Sequence, residues 1–348
     1  MERRIFLNTA LGTVAASLMG LSPGRASANA FPIRNIGPIR GVNLQAVFRS
    51  KLHRGNGAEQ QVLDTVSNAV TKLGFNSIRI GGTSSFGASF DPAYKGFGWH
   101  RNLSHPMVRT VHGNNDPYRK EPFNFNIMAV KVAAQTGCSV WLTFNSLSTE
   151  GEIDRALNTL VRHNVPLAGV SRDNEPYIPV RFADVDSAYQ RLASPLFRDA
   201  TWPAMFIAPN GQPKGRAARQ DHTAKLVNHY RKTGTPIELH IYYPDTKGVP
   251  SPKAYISQSL ENSSARFQTT KFMIGEWSIK KQEKSSGAKM REVVGAYLDH
   301  FEANSLPSYY QLLGSEFDQF GLWNFKTNRP NISRGADIFA KRWGHSSL

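Results

Sequence analysis

Two glutamates in this chain stand where a strand end could hand them to a substrate. Glu175 lies in "SRDNEPYIPV" (residues 171–180), straight after the apolar run 166–170. Glu276 lies in "TKFMIGEWSI" (residues 270–279), 101 positions later. Carboxylates that face each other across a cleft have a definite use in glycoside hydrolysis. One acid protonates the leaving oxygen, and the second carboxylate acts as nucleophile or activates water. The plainer reading of Asp173, Asn174 and Pro176 is a strand-ending turn, since all three are turn residues. The plainer reading of Glu276 is a structural ion pair. What surrounds the two glutamates has to decide.

The elements that must position them repeat. Apolar runs at 39–44, 75–82, 138–145, 166–176, 204–210, 236–244, 270–279 and 307–314 alternate with stretches of helical spacing near 58–73, 122–136, 151–163, 184–200, 218–232, 252–267, 286–303 and 333–343. Within 286–303, Met290, Val293, Val294, Tyr297, Leu298 and Phe301 form an i, i+3, i+4, i+7 stripe. Each strand is a continuous apolar run, the pattern of a parallel sheet buried on both faces. Eight such units predict an α/β chain closed into a (β/α)8 TIM barrel, which takes roughly 250 residues. An open doubly wound sheet is the alternative. The first strand is not followed by the glycine-rich phosphate loop which that fold often carries.

Chemistry in such barrels sits at the C-terminal strand ends. Strand 2 carries Arg79 and strand 3 ends in Asn145. Strand 4 ends in Asn174 and Glu175, strand 6 carries His240 and Tyr242, and strand 7 carries Glu276 and Trp277. Trp323 follows strand 8 in "FGLWNF". These amides, rings and carboxylates suit a sugar. They do not form the closely spaced His/Asp set of a metal cage, so no cofactor is expected.

With "NEP" on strand 4, His240-Ile241-Tyr242 on strand 6 and "GEW" on strand 7, the chain resembles the clan A retaining glycoside hydrolases, (β/α)8 enzymes of the family 5 and family 39 type. The resemblance implies that Glu175 is the acid/base and Glu276 the nucleophile. It implies that Asn174 binds the sugar 2-hydroxyl, that Arg79 and Tyr242 support Glu276, and that His240 contacts the acid/base side. Trp323 would then be a stacking platform and Trp277 a sugar contact, the alternative for both being simple core packing. Asn145 stands where the family 5 pattern places a histidine. Retention of configuration implies a carboxyl separation of about 5–5.5 Å.

The bulk numbers fit a globular export product. The chain has 348 residues, 40% hydrophobic and 20% charged, with one cysteine, Cys138. A disulfide framework within the chain and a cysteine zinc cluster are thereby excluded. Residues 1–30 have the layout of a signal peptide: Arg3-Arg4 with Phe6-Leu7, a mild apolar stretch, then small residues. The arginine pair resembles a twin-arginine signal, the alternative being a coincidental pair before an ordinary secretion signal. A single domain over 31–348 is expected, periplasmic or secreted and monomeric. No later segment approaches the ~20 apolar residues of a membrane span.

Formal charge is +16, and loss of residues 1–28, with Arg3, Arg4, Arg25 and Glu2, leaves +14. Such a surface favours polyanions. For an exported protein that points to acidic polysaccharide rather than nucleic acid, the alternative being a solvated basic surface without a specific partner. The segment 83–121 is rich in aromatics and cations, including Phe86, Phe90, Tyr94, Trp99, Arg101 and Arg109. It reads either as a sugar-binding loop or as a covering flap. A noncatalytic polysaccharide-binding barrel, serving export or assembly of a surface glycan, is the reading from a different class.

Overall fold

The computed structural model describes residues 38–44, 47–49, 52–53, 59–80, 90, 92, 122–144, 150–172, 205–207, 223–228, 231, 234, 236–280, 285–311, 313–314 and 321–344. The signal-type segment, Asn145, Asn174 and Glu175 lie outside the described residues, as does the helix expected near 184–200.

Eight strands form one sheet: β1 (Arg40–Asn43), β2 (Ser77–Ile80), β3 (Ser139–Phe144), β4 (Leu167–Arg172), β5 (Met205–Ile207), β6 (Ile237–Tyr243), β7 (Phe272–Ile279) and β8 (Ser308–Tyr310). Their order is β5-β4-β3-β2-β1-β8-β7-β6, and every hydrogen-bonded pair is parallel. The last strand therefore returns to pair with the first. The two ends of the order, β5 and β6, approach within 8 Å between Cα atoms, so the sheet curls back on itself. The chain is an α/β protein with the (β/α)8 barrel architecture. Short β9 (Trp323–Asn324) and β10 (Arg329–Pro330) form an antiparallel pair after β8.

The helices form where the apolar spacing repeats, and several begin at a capping side chain. Among the described residues they include α1 (Glu59–Lys72), α2 (Phe125–Thr136), α3 (Glu150–Arg162), α4 (Pro252–Phe267), α5 (Gly287–Ala303) and α6 (Ala336–Trp343), and residues 223–228 are helical as well. In α5 the Ser286 side chain accepts from Lys289 N at the N-terminus. The six residues of its predicted stripe are all buried, as a helix laid on a sheet requires. In α4, Ser251 caps a first turn that opens with Pro252, whose missing N–H costs nothing there.

Two buried layers result. The larger packs the outer strand face against the helices. The smaller one, Ile39, Trp141, Ala168, Met273 and Tyr309, fills the barrel interior. Trp141 on β3 meets Tyr309 on β8 edge-on, with ring centroids 6.0 Å apart, although β2 and β1 intervene in the sheet. Only a curled sheet lets those rings touch.

Strand β7 carries the one irregularity that matters for the site. Leu239 pairs with Ile274 and His240 pairs with Glu276, so Gly275 is an extra residue. The β8 side shows the same break, since Ile274 pairs with Ser308 and Trp277 with Tyr310. Strict alternation from the inward Met273 would send residue 276 outward. The bulge at Gly275 re-aims it, so Glu276 points into the barrel and Trp277 points to the helices.

Candidate active site

Strand alternation brings Glu238, His240 and Tyr242 of β6 to the interior, while Ile237, Leu239, Ile241 and Tyr243 join the outer core. From β2, Arg79 reaches the same space across the intervening β1, β8 and β7. The guanidinium is fully buried and faces two carboxylates. Nη2 donates to Glu238 Oε1 at 2.6 Å, and Nη1 donates to Glu276 Oε1 at 3.1 Å and to Asn43 Oδ1 at 3.2 Å. Tyr242 donates its hydroxyl to Glu276 Oε2 at 2.5 Å.

His240 stands between the two glutamates. Its Nε2 lies 3.0 Å from Glu238 Oε1 and its Nδ1 lies 3.6 Å from Glu276 Oε2. The far oxygen of Glu238 accepts from Ser171 Oγ on β4, and Trp141 Nε1 donates to that same Oγ at 2.7 Å. Asn43 Nδ2 donates to the Gly275 carbonyl at 3.2 Å, which pins the bulge beneath Glu276.

The two carboxylates differ in access. The Glu276 side chain keeps 7% of its surface exposed, and the Glu238 side chain keeps none. Of these two, Glu276 alone reaches the surface of the interior. Burial works hardest against ionising Glu238, but Arg79, His240 and Ser171 together hold its carboxyl below the ordinary value. Burial likewise works against the Arg79 cation, and the charges of Glu238 and Glu276 outweigh it and push its value up. Each charge is tolerable inside the barrel because the others are there.

Of the residues singled out from the sequence, Arg79, His240, Tyr242 and Glu276 come together here. Trp277 and Trp323 do not. Trp277 is wholly buried among Tyr297, Phe301, Tyr310 and Phe339, at ring-centroid distances of 5.7, 5.3, 4.9 and 5.9 Å. Trp323 is also wholly buried, and its indole N–H goes to Asn328 Oδ1 at 3.1 Å. The sugar contacts expected of both tryptophans are therefore corrected to core packing. Phe90 of the segment 83–121 is likewise buried in the outer core.

Four interior groups were not singled out from the sequence: Asn43, Trp141, Ser171 and Glu238. The available signal for Glu238 was its two-residue spacing from His240, which puts both on one strand face. Among the described residues, no group of three or more His, Cys, Asp or Glu is placed to hold a metal ion. No helix among them is long and apolar enough to cross a membrane.

No protein-family model matches the chain, and no curated protein matches it significantly. Solved structures are similar at low identity. One is the β-glucuronidase of Parabacteroides merdae, with 12% identity over 90% of this chain and 38% of that one and a TM-score of 0.48. Another is an endo-β-1,3-glucanase from Sorangium cellulosum, with 12% identity over 88% of this chain and 100% of that one and a TM-score of 0.49. A third is an endocellulase from Pyrococcus horikoshii, with 15% identity over 88% of this chain and 92% of that one and a TM-score of 0.49.

Proposed function

We propose that this protein is a retaining glycoside hydrolase that cleaves a β-linked poly- or oligosaccharide by double displacement. Glu276 is the nucleophile and Glu175, three residues past the end of β4, is the acid/base. The observation that carries this reading is the hold on Glu276. Of the two interior carboxylates among the described residues it is the one with exposed surface, with one oxygen on Arg79 and the other on Tyr242.

In the first step Glu276 attacks the anomeric carbon while Glu175 gives its proton to the departing glycosidic oxygen. The sugar is left as an ester on Glu276. In the second step Glu175, now a carboxylate, takes a proton from water as that water attacks the same carbon and frees Glu276. Arg79 and Tyr242 fix the orientation of the attacking carboxylate, and Asn174 and Asn145 bind the sugar beside it. The net charge of the chain favours an acidic exopolysaccharide. The arginine pair near the N-terminus favours export before action.

The test is turnover of a panel of acidic and neutral β-linked polysaccharides by the purified protein, with products read by mass. Shortened products from wild type, and loss of turnover by orders of magnitude in E276Q and E175Q, are expected. Near-full activity in both variants overturns the mechanism. Binding without any product over long incubation points instead to a noncatalytic polysaccharide-binding barrel.

A further inference from the structure

We propose that Glu238 is a positioning residue of this site, holding one arm of Arg79 and one nitrogen of His240 so that each presents its other side to Glu276. This rests on the reading of Glu276 as the nucleophile. Glu238 itself cannot touch a substrate, because its side chain is completely enclosed. Its surroundings are nonetheless built for an anion. Arg79 comes from β2, Ser171 from β4 and His240 from β6 itself. Room for the carboxylate is made on β7, where a Cβ added at Gly275 would stand 1.8 Å from Glu238 Oε1.

The consequence for Glu276 follows from the guanidinium's shape. A planar guanidinium facing a single carboxylate favours a bidentate pair that engages both oxygens. Here the fork is divided between two carboxylates, with Nη2 on Glu238 and Nη1 on Glu276 Oε1. The other oxygen, Oε2, is met by the Tyr242 hydroxyl and faced by His240 Nδ1. Asn43 Oδ1 accepts from the same Nη1. An ionised Glu238 only accepts hydrogen bonds, so His240 Nε2 must carry the proton it shares at 3.0 Å. That fixes the ring and sets Nδ1 toward the nucleophile.

E238Q keeps the size of the side chain and removes its charge. On the polysaccharide that wild type cleaves, kcat is expected to fall by about 10- to 100-fold, the scale of one charged hydrogen bond, with KM nearly unmoved. A folded E238Q with wild-type kcat overturns the assignment, and so does one whose only change is a raised KM. A second measurement needs neither the variant nor a substrate. In 15N-histidine-labelled wild type at neutral pH, the His240 signal, assigned by its loss in H240Q, is expected to show a protonated Nε2. A bare Nε2 overturns the proposal. The two readings fail separately. Full turnover by E276Q removes the glycosidase reading whatever E238Q does, whereas an inactive E276Q beside a fully active E238Q removes only the role of Glu238.

Discussion

Gly275 and Glu238 occupy one another's space: a Cβ on Gly275 would lie 1.8 Å from Glu238 Oε1, closer than any side chain tolerates. The residue that bulges β7 and turns Glu276 inward is thus also the residue that admits the buried carboxylate. G275A must push Glu238 off Arg79, His240 and Ser171 or flatten the bulge. Overpacking of this kind costs about 1–3 kcal/mol. A lowered melting temperature and a loss of turnover are expected together, read by thermal unfolding and by product formation. A fully active, equally stable G275A contradicts the packing described.

Arg79 is the shared cation of two carboxylates, so its removal leaves both facing each other inside the barrel. R79M should cost about 3–5 kcal/mol, the scale for breaking a buried pair by taking one partner. Chemical denaturation measures it. R79K should lose less stability, since charge remains, yet still lose turnover. A single ammonium lacks the planar fork that meets both glutamates at once.

Tyr242 is only partly buried, and its hydroxyl donates to Glu276 Oε2 at 2.5 Å. Y242F removes that donor and leaves the ring. Turnover should drop by about 10-fold or more, on the scale of a hydrogen bond to a charged group. The denaturation midpoint should stay close to wild type.

Acid should loosen this barrel through Glu238. Its folded value lies below its unfolded one, so its contribution is complete above the unfolded carboxylate range, about pH 4.3, and is lost as pH falls through the lower folded value. Wild type should therefore lose melting temperature below about pH 4 more steeply than E238Q. Thermal melts from pH 7 to pH 2 measure it. Parallel slopes for the two proteins would contradict the linkage.

Trp277 fills the space between β7, α5 and α6. W277A should destabilise by about 3–5 kcal/mol, the cost of emptying a large aromatic site. The milder W277F should keep wild-type saccharide affinity by calorimetry. Weakened affinity in a fully folded W277F would return this tryptophan to the sugar.

The eight strands and most helices are legible in the sequence because a parallel sheet covered on both faces needs continuous apolar runs, and those are what the chain shows. Arg79 is legible for the same reason: a cation inside such a run demands an anion. Its first anion, Glu238, is not legible from motifs. Residues 236–244 read as one apolar strand, and the only trace of the glutamate's role inside it is its two-residue spacing from His240. Trp277 misleads in the opposite way. Proximity in sequence groups it with Glu276, and strand geometry puts it on the other face. The bulge that decides which of the two points inward leaves only a glycine as its trace. Trp323 is claimed by a local contact, its indole N–H turned to Asn328 within the β9–β10 pair.

The most direct test is to trap the covalent intermediate. The sugar released from the polysaccharide panel is made as its 2-deoxy-2-fluoro glycoside with a good leaving group and incubated with the protein. Intact mass and peptide mapping then locate the adduct. One sugar per chain, on the peptide that contains Glu276 and absent in E276Q, is the predicted result. An adduct on a different residue, or no adduct together with products of inverted configuration, would contradict the assignment of Glu276 as the nucleophile.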